Sequence, residues 1–238
     1  MALRQQNMNT FSAAILEGLR AFDTPTICNA LESILPESRS SGFNRRPLFS
    51  PSGRSRPVVG YACTARIQSR ESLRGDAVAR RLEYYTYIER SPRPSLVLVQ
   101  DIDSPDRGLG AFWGEVQTNV HLALGCSGVI TDGSVRDIDH IPEKFFVLAG
   151  SVMPSHVFAD IVDFNCPVNV AGVTVHPGDL VHADHHGMII VPEEAVPALP
   201  AAATLISHKE RIILDACRLE GFSVNQLRRA FEEMDEIH

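Results

Sequence analysis

The sequence predicts a mixed α/β domain with a parallel βαβ core, β-hairpins and a helical C-terminal tail. Three observations carry that prediction. SLVLVQDI (Ser95 to Ile102) is apolar throughout until it ends in an acid, the pattern of a parallel strand buried on both faces. A helical stretch, Gly114 to Leu124, leads to a second run of the same kind, GVITDG (Gly128 to Gly133), so that strand, helix and strand form a βαβ unit. Beyond it come short strand candidates parted by turn residues, and then a long helical segment.

The elements follow in order. Ser12 caps a short helix through Phe22. Asp23-Thr24-Pro25 opens a second helix whose apolar face is Ile27, Ala30, Leu31, Ile34 and Leu35, with Pro25 suited to the first turn. Pro36 to Pro57 holds four prolines among Ser, Gly and Arg and reads as a long surface connection. Val58 to Ile67 is β-branched and aromatic enough for a strand. Ala77 to Glu89 is helical, with Val78, Leu82 and Tyr85 on one face; in the helix after it, Val116, Val120 and Ala123 point inward. Phe145 to Met153 and Val168 to Val175 are short strands, the latter bent at Ala171-Gly172. HPGDLVHADHHGMIIVPEE alternates turn and strand, with Pro177-Gly178 as the first turn. Glu193 to Cys217 is mostly helix, interrupted near Pro197 and Pro200, and Ser223 caps a last amphipathic helix, Val224 to Met234.

The chain has 238 residues, 44% hydrophobic and 21% charged, which suits one domain spanning 1–238, with N-terminal helices over 1–36 and a helical tail over 193–238. A net charge of -7 argues against a nucleic-acid partner, because neutralising phosphates needs a basic surface. The local basic group Arg45, Arg46, Arg54 and Arg56 reads as a solvated loop. Five widely spaced cysteines without a C-x-x-C pair suit free thiols in a reducing compartment. No apolar run is long enough to span a membrane, and the start of the chain lacks a signal-peptide pattern, so the expectation is a cytoplasmic protein without a membrane partner.

One stretch concentrates the chemistry. Glu115 stands at the start of the helix between the two buried strands, and Arg136-Asp137 follows the second strand in a turn. Ligands in open α/β sheets bind beyond the carboxyl ends of strands. A hard cation such as Mg²⁺ takes one or two carboxylates plus water, and Arg136 offers a planar fork for a carboxylate or developing oxyanion. The first-turn amides of Val116 and Gln117 add anion-binding capacity. The competing explanation is an ordinary Arg-Asp turn pair and a glutamate favoured by the helix dipole. A second candidate is the segment holding His176, His182, His185 and His186 with Asp179 and Asp184, donors suited to Zn²⁺, Fe or Ni. Strand alternation sends His182 and Asp184 to one face and His185 to the other. GLGAFWG (Gly108 to Gly114) has the wrong glycine spacing for a nucleotide loop. Neither Ser134 nor Cys126 sits in a nucleophile motif, and Trp113 reads as core.

Trp113-Gly114-Glu115, GCSGVITDGSVRD (Gly125 to Asp137) and GVTVHPGDLVHAD (Gly172 to Asp184) resemble the class II, metal-dependent pyruvate aldolases. That family includes 4-hydroxy-4-methyl-2-oxoglutarate/4-carboxy-4-hydroxy-2-oxoadipate aldolase and the regulator of ribonuclease activity A. The resemblance runs from about Thr24 to Phe231, and the Glu-x20-Arg-Asp spacing is its most specific part. It implies a swivelling-type α/β/β/α fold assembled as a homotrimer or a homohexamer, with active sites between subunits. It implies cleavage of a 4-hydroxy-2-oxo acid to pyruvate plus an oxo acid, with oxaloacetate decarboxylation alongside. It further implies Mg²⁺ or Mn²⁺ bound by Asp137 directly and by Glu115 through water. Arg136 would then sit on the keto or enolate oxygen, and Gly114, Glu115 and the amides of Val116 and Gln117 around the pyruvyl carboxylate. His140 stands where the family often has an acid, and Ala183-Asp184-His185-His186-Gly187 stands where it often reads A-D-x-D-G, so an imidazole replaces a carboxylate twice, which leaves other metal-assisted chemistry, hydrolysis or tautomerisation, as an alternative. A non-catalytic regulator docking on an RNA-processing enzyme is another; that branch generally lacks the metal aspartate, so Asp137 favours catalysis.

Overall fold

The computed structural model describes residues 10–51, 53 and 56–237; Arg54 of the basic group lies outside them. Two short helices open the chain, α1 (Ala13–Leu19) and α2 (Thr24–Ile34). Ser12 Oγ accepts from the Ile15 amide and Asp23 Oδ1 from the Thr26 amide, so each helix starts where its cap predicts. Helix α1 stops at Leu19, short of Phe22.

The main sheet is built from β1 (Val58–Gln68), β2 (Ser95–Asp101), β3 (Cys126–Thr131), β5 (Phe146–Leu148), β7 (Asp160–Phe164), β10 (Leu180–Asp184) and β11 (Gly187–Val191). Its order is β11-β10-β1-β2-β3-β5, with β1, β2, β3 and β5 parallel and β10 and β11 antiparallel. Helix α3 (Ala77–Arg90) connects β1 to β2, and α4 (Glu115–Ala123) connects β2 to β3, the βαβ unit foreseen. The long β1 serves two partners on one edge: its first residues pair with β10 and its last with β7. Two small pairs complete the β structure: β4 (Ser134–Val135) with β6 (Ser151–Val152), and β8 (Val168–Val170) with β9 (Val173–Val175). Ala171 (φ 49°) and Gly172 (φ 91°) form a two-residue turn between β8 and β9, with φ positive at both positions as a tight hairpin demands. The chain closes with α5 (Leu199–Cys217) and α6 (Val224–Asp235).

Burial on both faces explains the unbroken apolar strands. On β2, Val97 and Val99 pack with Tyr84 and Ile88 of α3, while Leu96 and Leu98 pack against the β8–β9 hairpin. Helices α1, α2 and α5 cover the β1–β10–β11 end of the helical face through Leu19, Ile27, Leu31 and Leu199. The connection over 36–57 is irregular but pinned, with Phe43 bridged to Ile189 and Phe49 to Ala149.

Three expectations are corrected. On α3, Val78 and Leu82 are exposed and Tyr84 and Ile88 are buried, because Arg80 and Arg81 reach Asp160 of β7 and turn that face of the helix to the sheet. On α4, Val116 and Ala123 face solvent, while Thr118 and His121 are buried. The helix after Glu193 begins only at Leu199, with Pro200 in its first turn. Strand β7 was missed: DIVDF is short and acid-flanked, and only its partner β1 makes it a strand.

Candidate active site

Asp101 ends β2 and Asp132 directly follows β3, and both are buried. Asp132 Oδ1 accepts from the Asp101 amide at 2.9 Å, and its Oδ2 accepts from Arg46 Nη2 at 2.9 Å and from the Ala171 amide at 3.4 Å, with Arg107 Nε 3.4 Å away. Asp101 accepts from the amides of Asp103 and Gly108. Burial pushes both carboxyls above the usual carboxylate range, against the donors that hold them down. This network fixes the turn after β3 to the loop after β2. The sequence reading did not join these two acids into a network, although an acid at or just past the end of each apolar strand was its signal. It also gives Arg46 a structural partner.

From Asp132 the chain runs through β4 beside residues 113–115. Trp113 bridges to Val135, and the Arg136 amide donates to the Trp113 carbonyl at 2.8 Å. Helix α4 thereby starts against the Arg136-Asp137 turn. Glu115 donates its backbone N–H to Asp137 Oδ2 at 3.2 Å, which lies 3.6 Å from Arg136 Nε. Gly114 permits this approach: a Cβ there would stand 2.5 Å from Asp137 Oδ2 and 3.0 Å from Arg136 Cγ. Asp137 itself is left-handed (φ 53°, ψ 38°), a conformation aspartate tolerates better than most residues. The predicted residues Gly114, Glu115, Arg136 and Asp137 therefore converge, with Val116 and Gln117 on the adjoining turn.

Several groups here lack partners. Arg136 Nε is buried without a hydrogen bond. Among the described residues the amides of Val116 and Gln117 have no acceptor, as expected for first-turn positions of a helix whose N-cap is glycine. They border a cavity of about 270 Å³ lined by Arg81, Phe112, Gly114, Val116, Gln117, Arg136, His156 and Ala159. No carboxylate lines it, in a chain of net charge -7. A larger recess of about 340 Å³ with Arg20, Arg56 and Lys144 lies at the opposite, amino end of β1 and β3, away from this convergence.

Side chains behind the turn hold it in place. Trp113 is fully buried, its ring 4.5 Å from that of His121. His121 Nδ1 donates to the Gln117 carbonyl at 2.7 Å, which leaves Nε2 to accept from Tyr84 Oη at 2.8 Å. Burial lowers the imidazole to about 4. Tyr85 Oη donates to Gln117 Oε1 at 2.8 Å. Tyr84, Tyr85 and His121, none chosen from sequence, thus brace the first turn of α4.

Asp137 and Glu115 supply two solvent-reaching carboxylates, and Asp137 Oδ1 is free of hydrogen bonds among the described residues. Among the described residues neither joins a cluster of three or more ligating side chains, and two carboxylates suit a hard cation that keeps most of its water, such as Mg²⁺ or Mn²⁺. His140 is exposed on the turn Ile138–His140. The histidine segment lies elsewhere. His182 and Asp184 share the helical face as alternation predicted, and both bond to the N-terminal layer: the Asp184 Oδ2–Thr24 amide distance is 2.9 Å. Burial raises the Asp184 carboxyl, but bonds from Thr24 and His186 outweigh it and leave the group lowered.

A family model described as RraA-like (Aldolase/RraA) matches residues 24–190, and the chain belongs to that family. A Halalkalibacterium halodurans protein named "Putative 4-hydroxy-4-methyl-2-oxoglutarate aldolase" is 26% identical over 73% of this chain and 74% of its own. An uncharacterized Methanocaldococcus jannaschii protein is 34% identical over 43% of this chain. The chain spans half the length of that relative and about a third of the Legionella pneumophila protein DlpA, which is 26% identical over 96% of this chain. RraAS2 of Streptomyces coelicolor superposes with a TM-score of 0.67 over 85% of this chain and 96% of its own, at 18% identity, and so shares the fold. No helix among the described residues is long and apolar enough to cross a membrane.

Proposed function

We propose that the protein is a divalent-metal-dependent lyase that cleaves a 4-hydroxy-2-oxo acid to pyruvate and a second oxo acid, and that it also decarboxylates oxaloacetate. The observation that carries this reading is the meeting of the α4 N-terminus with Arg136-Asp137, where Gly114, Val116, Gln117 and Arg136 line a cavity and the Asp137 carboxylate stands beside it. Aldolase names among the relatives support it.

Asp137, with Glu115 beside it, would hold the cation, which supplies Lewis-acid polarisation of the 2-oxo group. The unpaired amides of Val116 and Gln117 receive the carboxylate next to that group, aided by the positive end of the helix. Arg136 points its fork at the 2-oxo oxygen. When the C3–C4 bond breaks, its electron pair passes into the C2 carbonyl, and Arg136 meets the negative charge that develops there. The C4 hydroxyl loses its proton toward Glu115 through water and becomes the carbonyl of the second product. Oxaloacetate decarboxylation leaves the same pyruvate enolate, so one set of contacts serves both reactions. Exposed Val152, Met153, Phe158 and Val162 give the neighbouring surface an apolar character, consistent with cover by other copies in a trimer or hexamer.

The test is pyruvate release from oxaloacetate and from 4-hydroxy-4-methyl-2-oxoglutarate, coupled to lactate dehydrogenase, with Mg²⁺, with Mn²⁺ and with EDTA. Metal-dependent pyruvate is expected. Asp137→Ala should abolish it with the fold intact, and Arg136→Ala should lower kcat by roughly 10²–10³, the loss of an oxyanion donor. No pyruvate under any condition would remove the lyase reading.

A further inference from the structure

The hairpin between β10 and β11 carries a second set of metal-ligand atoms, at the far end of the sheet from Arg136. Asp184 pairs with Gly187 across a loop that is only His185-His186, and the adjacent Ala183 pairs with Val58, the first residue of β1. One ligand atom each from Asp184, His185 and His186 lies within 4.8 Å of the others, the only cluster of three or more such residues among those described.

The arrangement is more than crowding of polar groups on a turn. Asp184 is 1% exposed, and its Oδ2 is occupied by the Thr24 amide at the start of α2. Its Oδ1 accepts from the His186 backbone amide at 2.8 Å and keeps its other lone pair toward the imidazole, 3.1 Å from His186 Nδ1. Two ligands about 2.1 Å from one metal ion stand roughly 3.0 Å apart in cis octahedral and 3.4 Å in tetrahedral geometry. The oxygen–nitrogen spacing therefore already matches a metal edge, with a proton now bridging it. The His185 ring lies 3.9 Å from that of His186, with a ligand nitrogen within 4.8 Å of the other two ligand atoms, and both rings reach solvent, from which water could complete a shell. The Thr24 amide on the far carboxylate oxygen is the outer contact that orients such a ligand. The nearby His182 is not part of the set: its Nδ1 is engaged with Thr24 Oγ1 and its Nε2 with the Leu19 carbonyl.

We propose that Asp184, His185 and His186 form a site for a borderline transition-metal ion, Zn²⁺ or Ni²⁺, separate from the carboxylate site at Asp137. Two imidazoles and one carboxylate select that class over Mg²⁺, which prefers oxygen ligands. Because Asp184 also caps α2, an ion here ties the hairpin to the N-terminal helical layer and stabilises it.

Calorimetric titration of the full chain, freed of metal, with Zn²⁺, Ni²⁺ and Mg²⁺ tests this. Asp137→Ala and the double variant His185→Ala, His186→Ala are run beside the wild type. The expected result is one equivalent of Zn²⁺ or Ni²⁺ bound alike by wild type and Asp137→Ala, with affinity lowered at least about tenfold in the double variant. The melting temperature should rise with Zn²⁺ in the first two proteins and not in the third. Should the double variant fail to fold, His185→Gln and His186→Gln keep the size of the turn and must each weaken binding. Zn²⁺ and Ni²⁺ binding unchanged by these substitutions, or absent from the wild type up to about 1 mM, overturns the site.

Discussion

Acid should loosen this protein through one buried histidine, and the size of the effect follows from its surroundings. His121 is enclosed by Trp113, Tyr84 and Tyr85, and burial lowers its imidazole from 6.5 to about 4. Between those values the unfolded chain binds a proton at this position and the folded chain does not. Its contribution is therefore complete above pH 6.5 and falls by about 1.4 kcal/mol per pH unit as the pH drops toward 4. Over that window the loss comes to about 3 kcal/mol, or roughly 6–12 °C in melting temperature for a chain of this size. His182, lowered by burial as well, adds in the same direction, so the His121 share must be isolated by substitution. His121→Gln keeps a polar side chain near Tyr84 Oη but removes the titration. The assay is urea unfolding from pH 7.5 to 4, followed by the fluorescence of Trp113, the single tryptophan, which lies against the His121 ring. Wild type should lose stability more steeply than the variant across the whole window. Parallel curves, or an NMR titration placing His121 near 6.5, would refute the reasoning.

Two other substitutions probe the architecture of the site. Gly114→Ala puts a methyl group 2.5 Å from Asp137 Oδ2 and 3.0 Å from Arg136 Cγ; since φ here is -160°, the backbone accepts alanine and the damage is local. Pyruvate formation should fall at least tenfold, by analogy with about 1 Å of misplacement, while the melting temperature moves little. Asp132→Ala strips the partner from Arg46 and Arg107 and orphans the buried amides of Asp101 and Ala171. A loss of about 3 kcal/mol in urea unfolding is expected, at the low end for a broken buried pair because Arg46 reaches solvent. A loss under about 1 kcal/mol would mean that the network does not hold the strand ends together.

Much of this architecture is local and so was legible in the sequence. Buried parallel strands announce themselves because both faces must be apolar, as in Leu96 to Val99, and caps such as Ser12, Asp23 and Ser223 act within three residues. That Glu115, Arg136 and Asp137 would meet could be anticipated because strand ends and helix starts gather at one edge of an α/β sheet. The faces of α3 and α4 could not be settled the same way. Val78, Leu82 and Val116 look like core residues by type, yet what a helix buries is decided by the surface it lands on, and here that surface took Tyr84, Ile88 and His121.

Sequence alone thus determined the class of fold, the order of the βαβ unit and the residue types that meet at the start of α4. Tertiary structure decided the rest: that Gly114 lets the start of α4 touch Asp137, that Arg46 and Arg107 meet over Asp132, and that Asp184 turns one oxygen to Thr24 and the other to His186. The reason is range. Hydrophobic period and capping act over a few residues, whereas these contacts join positions between 22 and 160 residues apart (the His186 bond excepted) and exist only after the chain has closed on itself.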